Sequence, residues 1–315
     1  MNKKIIALAF SCLSLVSLSA DAAVPKVAVD IAPLHSLVSQ VTAGIGQPSL
    51  LISPGSSPHE YTLRPSEAKA LAEAEVVFMI GGKLTPWLEK ALNNIAESAT
   101  KIEMLDAAET VTHSFRKGAT FTRKKHKEEK HDKKEKDGKE HHDHEGLDPH
   151  AWLDPVNAQQ WLTLIANTLA KADPDNAKTY QQNAKQASNE LDKQIKATEA
   201  DIKALGKPKF IVFHDAYQYF EKRFGIEAAG SILLGDAQDP SPARIKEIQT
   251  TVKKLGVTCA FAEPQYNPGL VNNVFEGSTV SAIAVMDPLG SSFPPGPDLY
   301  KQLISSLVES IKKCP

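Results

Sequence analysis

The feature that most limits how this chain can fold is a run from Pro174 to Leu205. After Pro174 it contains neither glycine nor a second proline. Within it Ala177, Tyr180, Ala184, Ala187, Leu191, Ile195, Thr198, Ile202 and Leu205 recur at intervals of three and four. That period draws one apolar stripe along a single helix. At 1.5 Å per residue such a helix runs roughly 45 to 50 Å, longer than a small domain is wide, so it predicts an element spanning two lobes. Several stripe positions are alanine, which favours close packing on the same chain over a coiled-coil arm.

On either side, short apolar runs alternate with longer amphipathic ones, the pattern of an α/β protein with parallel sheets. Candidate strands are residues 26–30, 49–52, 76–80, 209–213, 257–261 and 282–286. Asp154, Asp173 and Ser241 each precede a proline, placing a capping residue before a first-turn proline. Gly206, Gly225 and Gly256 stand where helices should stop. The expected architecture is therefore α/β: two lobes, 23–172 and 206–315, each a parallel sheet flanked by helices, joined by one long helix over 173–205. A mature chain of about 290 residues exceeds the usual size of one hydrophobic core, which agrees with two lobes.

Residues 1–22 read as an export signal: Lys3 and Lys4, an apolar run over 5–18, then Ala20, Asp21 and Ala22. Cys12 follows Ala9, Phe10 and Ser11, so the residues that precede a lipid-modified cysteine are missing. A soluble periplasmic product is expected. No later stretch reaches the ~20 apolar residues of a membrane span. With a formal net charge of −2, nothing points to nucleic acid. In an oxidising compartment Cys259 and Cys314 are expected to pair, two free thiols being the alternative. The chain has no GxxxxGK[ST] phosphate loop and so cannot power transport by itself.

From His113 to Gly146 the periodicity vanishes and the chain becomes Lys, Glu, Asp and His, which predicts a disordered, charged loop. His113, His126, His131, His141, His142 and His144 lie in it, and His-rich tracts collect metals because neutral imidazoles are good ligands. A solvated linker is the bland alternative. The remaining histidines are His35, His59, His150 and His214. His214 directly follows one candidate strand, His59 follows another through a polar Ser-Pro-Gly segment, and His150 precedes a helix. Asp287, held by Pro288, also follows a strand. Ligands bind beyond the carboxyl ends of parallel strands, so these residues sit where a site would form.

The stretches 58–66 (PHEYTLRPS), 148–155 (DPHAWLDP), 213–217 (FHDAY) and 286–290 (MDPLG) resemble, in order, the four metal-binding segments of the cluster 9 solute-binding proteins. The resemblance covers essentially the whole mature chain. Within that family, a histidine-rich insertion before the second segment and a histidine in the third resemble the zinc-binding component of high-affinity zinc importers. Manganese relatives usually carry a carboxylate in the third segment. The resemblance implies a monomer that binds Zn2+ between two lobes through His59, His150 and His214 and delivers it to a membrane permease served by a separate ATPase. Three imidazoles form a borderline-soft donor set that suits zinc over manganese. Some zinc relatives have an acidic residue before the first histidine. Pro58 stands there in this chain, which leaves Asp287 as the expected fourth ligand, with Glu60 or a water behind it. His35 is expected to be structural or to support a ligand, and Asp215 or Glu263 to orient a liganding imidazole. The rivals are a manganese or iron carrier of the same family, a zinc hydrolase, for which no HExxH is present, and a zinc buffer or adhesin acting through the loop.

Overall fold

The computed structural model describes residues 24–116, 121, 146–233, 241–276, 278, 280 and 282–314. The expected export signal lies outside the described residues. So do 117–120 and 122–145, which hold five of the six loop histidines.

The first sheet is parallel, in the order β2 (Ser49–Leu50), β1 (Val27–Val29), β3 (Val76–Met79), β4 (Thr100–Glu103). Its connecting helices are α1 (Ala32–Val41), α2 (Pro65–Ala72) and α3 (Pro86–Ile95). Then come α4 (Pro155–Ala172) and α5 (Ala177–Leu205). The second sheet, also parallel, runs β5 (Phe210–Ile211), β6 (Cys259–Ala262), β7 (Ala282–Val285). With it come α6 (Gln218–Phe224), α7 (Pro242–Leu255), α8 (Pro268–Phe275) and α9 (Leu299–Lys312).

The period-2 geometry of strands explains how each sheet serves two cores. In β3, Val76 and Phe78 face the central core, while Val77 and Met79 face an outer cluster with Leu71 and Leu88. In β6, Cys259 and Phe261 face the same central core, and Ala260 and Ala262 face an outer cluster with Ile248 and Val252. One continuous apolar core thus runs from the inner face of the first sheet to the inner face of the second.

Helix α5 lies along that core. At 1.5 Å per residue it is about 43 Å long. It packs on α1, α4, α6 and α9, and Tyr180, Ala184, Ala187, Leu191, Thr198 and Ile202 are buried. It begins three residues later than the Asp-Pro signal indicated, after a single 3-10 turn at Pro174–Asn176. The reason is that Asp173 does not cap the turn: its Oδ2 accepts from Asn176 Nδ2 (2.8 Å) and Tyr180 Oη (2.9 Å). Asp154 and Ser241 do cap, accepting from Val156 N (2.9 Å) and Arg244 N (3.3 Å). Gly225 and Gly256 end α6 and α7 in the left-handed conformation, φ 71° and 63°.

Helix α9 returns across the molecule to pack on α1 as well as α5. Ser36 Oγ donates to Pro297 O (2.9 Å) and accepts from Tyr300 N (3.0 Å), and Tyr300 Oη donates to Trp152 O (2.7 Å). A Cys259–Cys314 disulfide fastens the end of the chain after α9 back to β6. Closing a loop of this length stabilises by roughly 4 kcal/mol in the chain-entropy model. Among the described residues no helix is long and apolar enough to cross a membrane.

Candidate metal centre

His59, His150 and His214 converge from three segments. One ring nitrogen of each lies within 4.8 Å of the others, and among the described residues this is the one group of three or more metal-ligating side chains that does so.

His214 stands just past β5, at the carboxyl end of the second sheet. Its Nδ1 lies 2.7 Å from Oε1 of Glu263, the residue after β6, so two neighbouring strand ends supply a ring and the carboxylate that grips it. His150 enters before α4. Asp148, fully buried, accepts from the His150 backbone N (3.0 Å) and lies 2.8 Å from its Nδ1 with the same oxygen. Each carboxylate calls for a ring N–H at Nδ1, which leaves the lone pair on Nε2. The two Nε2 atoms are 3.4 Å apart. Nitrogens at roughly 2.0 to 2.1 Å from a tetrahedral zinc stand about 3.3 to 3.4 Å from one another, so this pair is already spaced for that ion.

His59 is half-buried on the segment that follows β2. Main-chain pairing continues past β2 through Leu51 N to Val29 O (2.8 Å) and Ile52 N to Asp30 O (3.0 Å). The chain then turns at Gly55, whose φ of 82° favours glycine. Trp87 Nε1 donates to Pro58 O (2.8 Å), and Tyr61 Oη donates to Glu67 Oε1 (2.9 Å), pinning the segment on both sides of the ring.

The three rings line a small cavity with Ser57, Pro58, Trp152, Glu263, Gln265, Tyr266, Pro288 and Leu289. Its volume is about 10 Å³, room for roughly one water-sized group. An ion fits there.

The other sequence-predicted residues fall elsewhere. Asp287 does not line the cavity, because both its oxygens are committed. Oδ1 accepts from Leu289 N (2.9 Å) and Gln265 Nε2 (2.9 Å), and Oδ2 accepts from Ser291 N and Oγ (2.6 Å each). Glu60 is exposed. His35, buried in α1, has Nε2 3.0 Å from Pro48 O, and burial lowers the pH range in which it protonates. Of the two carboxylates expected to orient an imidazole, Glu263 contacts His214. Asp215 instead accepts from Nε of Arg116 (2.9 Å to each oxygen), and the same guanidinium donates to Glu221 from Nη1 (2.6 Å) and Nη2 (3.0 Å).

Arg116 belongs to a structured stem beneath the histidine-rich loop, whose sequence limits of 113–146 therefore run too wide. Asp148 N donates to His113 O (2.8 Å), Phe115 N to Gly146 O (3.3 Å), and Ser114 bridges Leu147 in antiparallel fashion. The first turn of α6 grips both strands. Tyr219 Oη accepts from His113 N (3.0 Å) and donates to Asp148 O (2.6 Å). Gln218 Nε2 donates to Ser114 O (3.1 Å) and to Asp148 Oδ2 (2.9 Å). Burial and the nearby Lys222 lower the protonation range of His113, whose ring lies 4.8 Å from that of Tyr219. Sequence reasoning missed Asp148, Gln218 and Arg116 as supports. Asp148 carries a usable signal, an aspartate two residues before a histidine across a proline. Arg116 and Gln218 carry none.

Comparison with known proteins shows the family. The model of the family "Zinc-uptake complex component A periplasmic" matches residues 27–314. The chain is 41% identical over 311 residues to the high-affinity zinc uptake system protein ZnuA of Brucella abortus, covering 91% of each chain. It is 40% identical over 315 residues to the protein of that name from Paracoccus denitrificans, covering 96% of each. Among solved structures, a crystal structure of ZnuA matches with a TM-score of 0.70 at 24% identity, over 90% of this chain and 98% of that one. The laminin-binding adhesin Lmb of Streptococcus agalactiae matches with a TM-score of 0.73 at 22% identity, over 92% of this chain and all of the other. At those identities the two structures speak for the fold alone.

Proposed function

Because the chain belongs to the periplasmic zinc-uptake complex component A family, we propose that it captures Zn2+ between its lobes through His59, His150 and His214 and hands it to the permease of an ABC importer. The observation that carries this reading is the convergence of three imidazoles, two of them with Nε2 atoms at zinc spacing, in a cavity sized for an ion. An all-nitrogen set favours zinc over manganese or iron. A hydrolase would need, beyond the metal, a general base and a substrate pocket, and the family is that of a transport component. Energy for transport comes from a separate ATPase in this scheme, and the protein acts as a monomer in the periplasm.

The core running through both lobes supports a further part of the reading: release follows contact with the permease rather than wide opening of the free protein. Calorimetric titration with Zn2+ in the presence of a competing chelator tests the assignment. One tight site per chain is expected, lost when His150 or His214 is replaced by alanine. Tight binding that survives either substitution sinks it.

A further inference from the structure

The three imidazoles account for three corners of a tetrahedral zinc site, and Asp287, the carboxylate expected at the fourth, is engaged elsewhere. One of its partners matters here. Gln265 lines the same cavity as the three histidines, and its Oε1 is buried with no hydrogen-bond partner among the described residues. The orientation of the amide is dictated by chemistry. Asp287 Oδ1 can only accept, so it takes the NH2 group of Gln265 at 2.9 Å, and the carbonyl oxygen is left on the other side. Asp287 is itself held by Leu289 N, Ser291 N and Ser291 Oγ, so the amide is clamped by a carboxylate that cannot turn. Two residues before Gln265, Glu263 grips His214. One short segment therefore carries both the carboxylate that sets the third imidazole and, lining the same cavity, an amide whose oxygen is buried and unsatisfied.

We propose that Gln265 serves the fourth position of the zinc site: its Oε1 accepts a hydrogen bond from the water bound to zinc there, and Asp287 acts through Gln265 as a positioning residue rather than as a ligand. A metal-bound water is a stronger donor than a free one, because the ion polarises its O–H bonds. A fixed carbonyl oxygen is the matching acceptor. The assignment rests on the zinc-capture reading above and specifies what completes that site.

Zn2+ affinity by chelator competition, on the full mature chain, tests it with Gln265→Ala, Asp287→Ala and the double variant. Supports around a metal typically change affinity 10- to 100-fold, so Gln265→Ala should weaken binding by about that factor. Asp287→Ala should fall to a similar level, and the double variant should be no weaker than Gln265→Ala alone, since both substitutions remove one device. The visible bands of the Co2+-loaded protein should shift in Gln265→Ala while the metal-free melting temperature stays at the parent value, which separates the role from a structural one. Parent-like affinity and spectrum in Gln265→Ala overturn the proposal. So does a loss in Asp287→Ala far exceeding that in Gln265→Ala, which would make Asp287 a direct ligand, or multiplying losses in the double variant. If the parent binds zinc tightly and only these results fail, zinc capture stands; if the parent does not bind zinc, both readings fall.

Discussion

His150 and His214 are buried, and each has its Nδ1 against a carboxylate, at 2.8 Å from Asp148 and 2.7 Å from Glu263. His59 is half-buried on a segment of serine, proline and glycine that is fastened through Pro58 O by Trp87 and through Tyr61 by Glu67. The first two rings are therefore set before metal arrives, with tautomer and spacing fixed by groups from the sheet ends and the stem. The contrast bears on the proposed site: two of its three rings are buried against carboxylates, and the third is half-buried on a loop segment.

The largest effect should come from breaking the pair. His150→Ala or His214→Ala removes tight Zn2+ binding in calorimetry. His59→Ala also loses the tight site but keeps the prepared pair, so its residual affinity should exceed that of the other two. Equal residual affinities would erase the distinction. Next in size is pH. Imidazole must be neutral to coordinate and ordinarily protonates near pH 6.5, so affinity should fall as pH drops from about 7.5 to 5.5. A flat profile in competition titrations would argue against histidine ligation.

Weakening the grips comes third. Asp148→Asn and Glu263→Gln should each cost about 10- to 100-fold in zinc affinity, read by chelator competition. Ser57→Ala removes the hydroxyl that accepts from His59 N at 3.3 Å and should cost about twofold or less, as a long hydrogen bond at a part-buried site contributes little. If the serine variant matched the carboxylate variants, His59 would be as firmly prepared as the pair. The smallest effect is expected on removing residues 122–145 with the stem kept. The tight site should persist with near-parent affinity, and only weaker, additional binding should disappear from the isotherm.

Much of this arrangement was legible in the sequence because ligands bind beyond the carboxyl ends of parallel strands, and His214 after β5 and the segment after β2 each stand at such an end. The stripe of α5 was legible for a simpler reason, since a period of 3.6 sustained over many turns fits little besides a helix. β4 was not, because Thr100–Glu103 is a charged, half-exposed edge strand that lacks the apolar run of its neighbours. Asp287 stands at the expected strand end, but its hydrogen bonds were not legible. A carboxylate past a strand end looks like a ligand, yet it satisfies Gln265, Leu289 and Ser291, and such a preference depends on neighbours that no spacing encodes. The pairing of Asp215 with Arg116 and of Glu263 with His214 likewise depends on which of two nearby carboxylates faces the stem.

The stem has a consequence for the proposed site. Its two strands are closed by Ser114 and Leu147 and clamped by Gln218 and Tyr219 before the histidine-rich stretch begins. Beyond that base, Phe121 is buried and its N donates to Ala229 O (3.0 Å). Among the described residues, the hydrogen bonds that hold Asp148 come from His113, His150, Gln218 and Tyr219, so its grip on His150 is built by the base of the insertion.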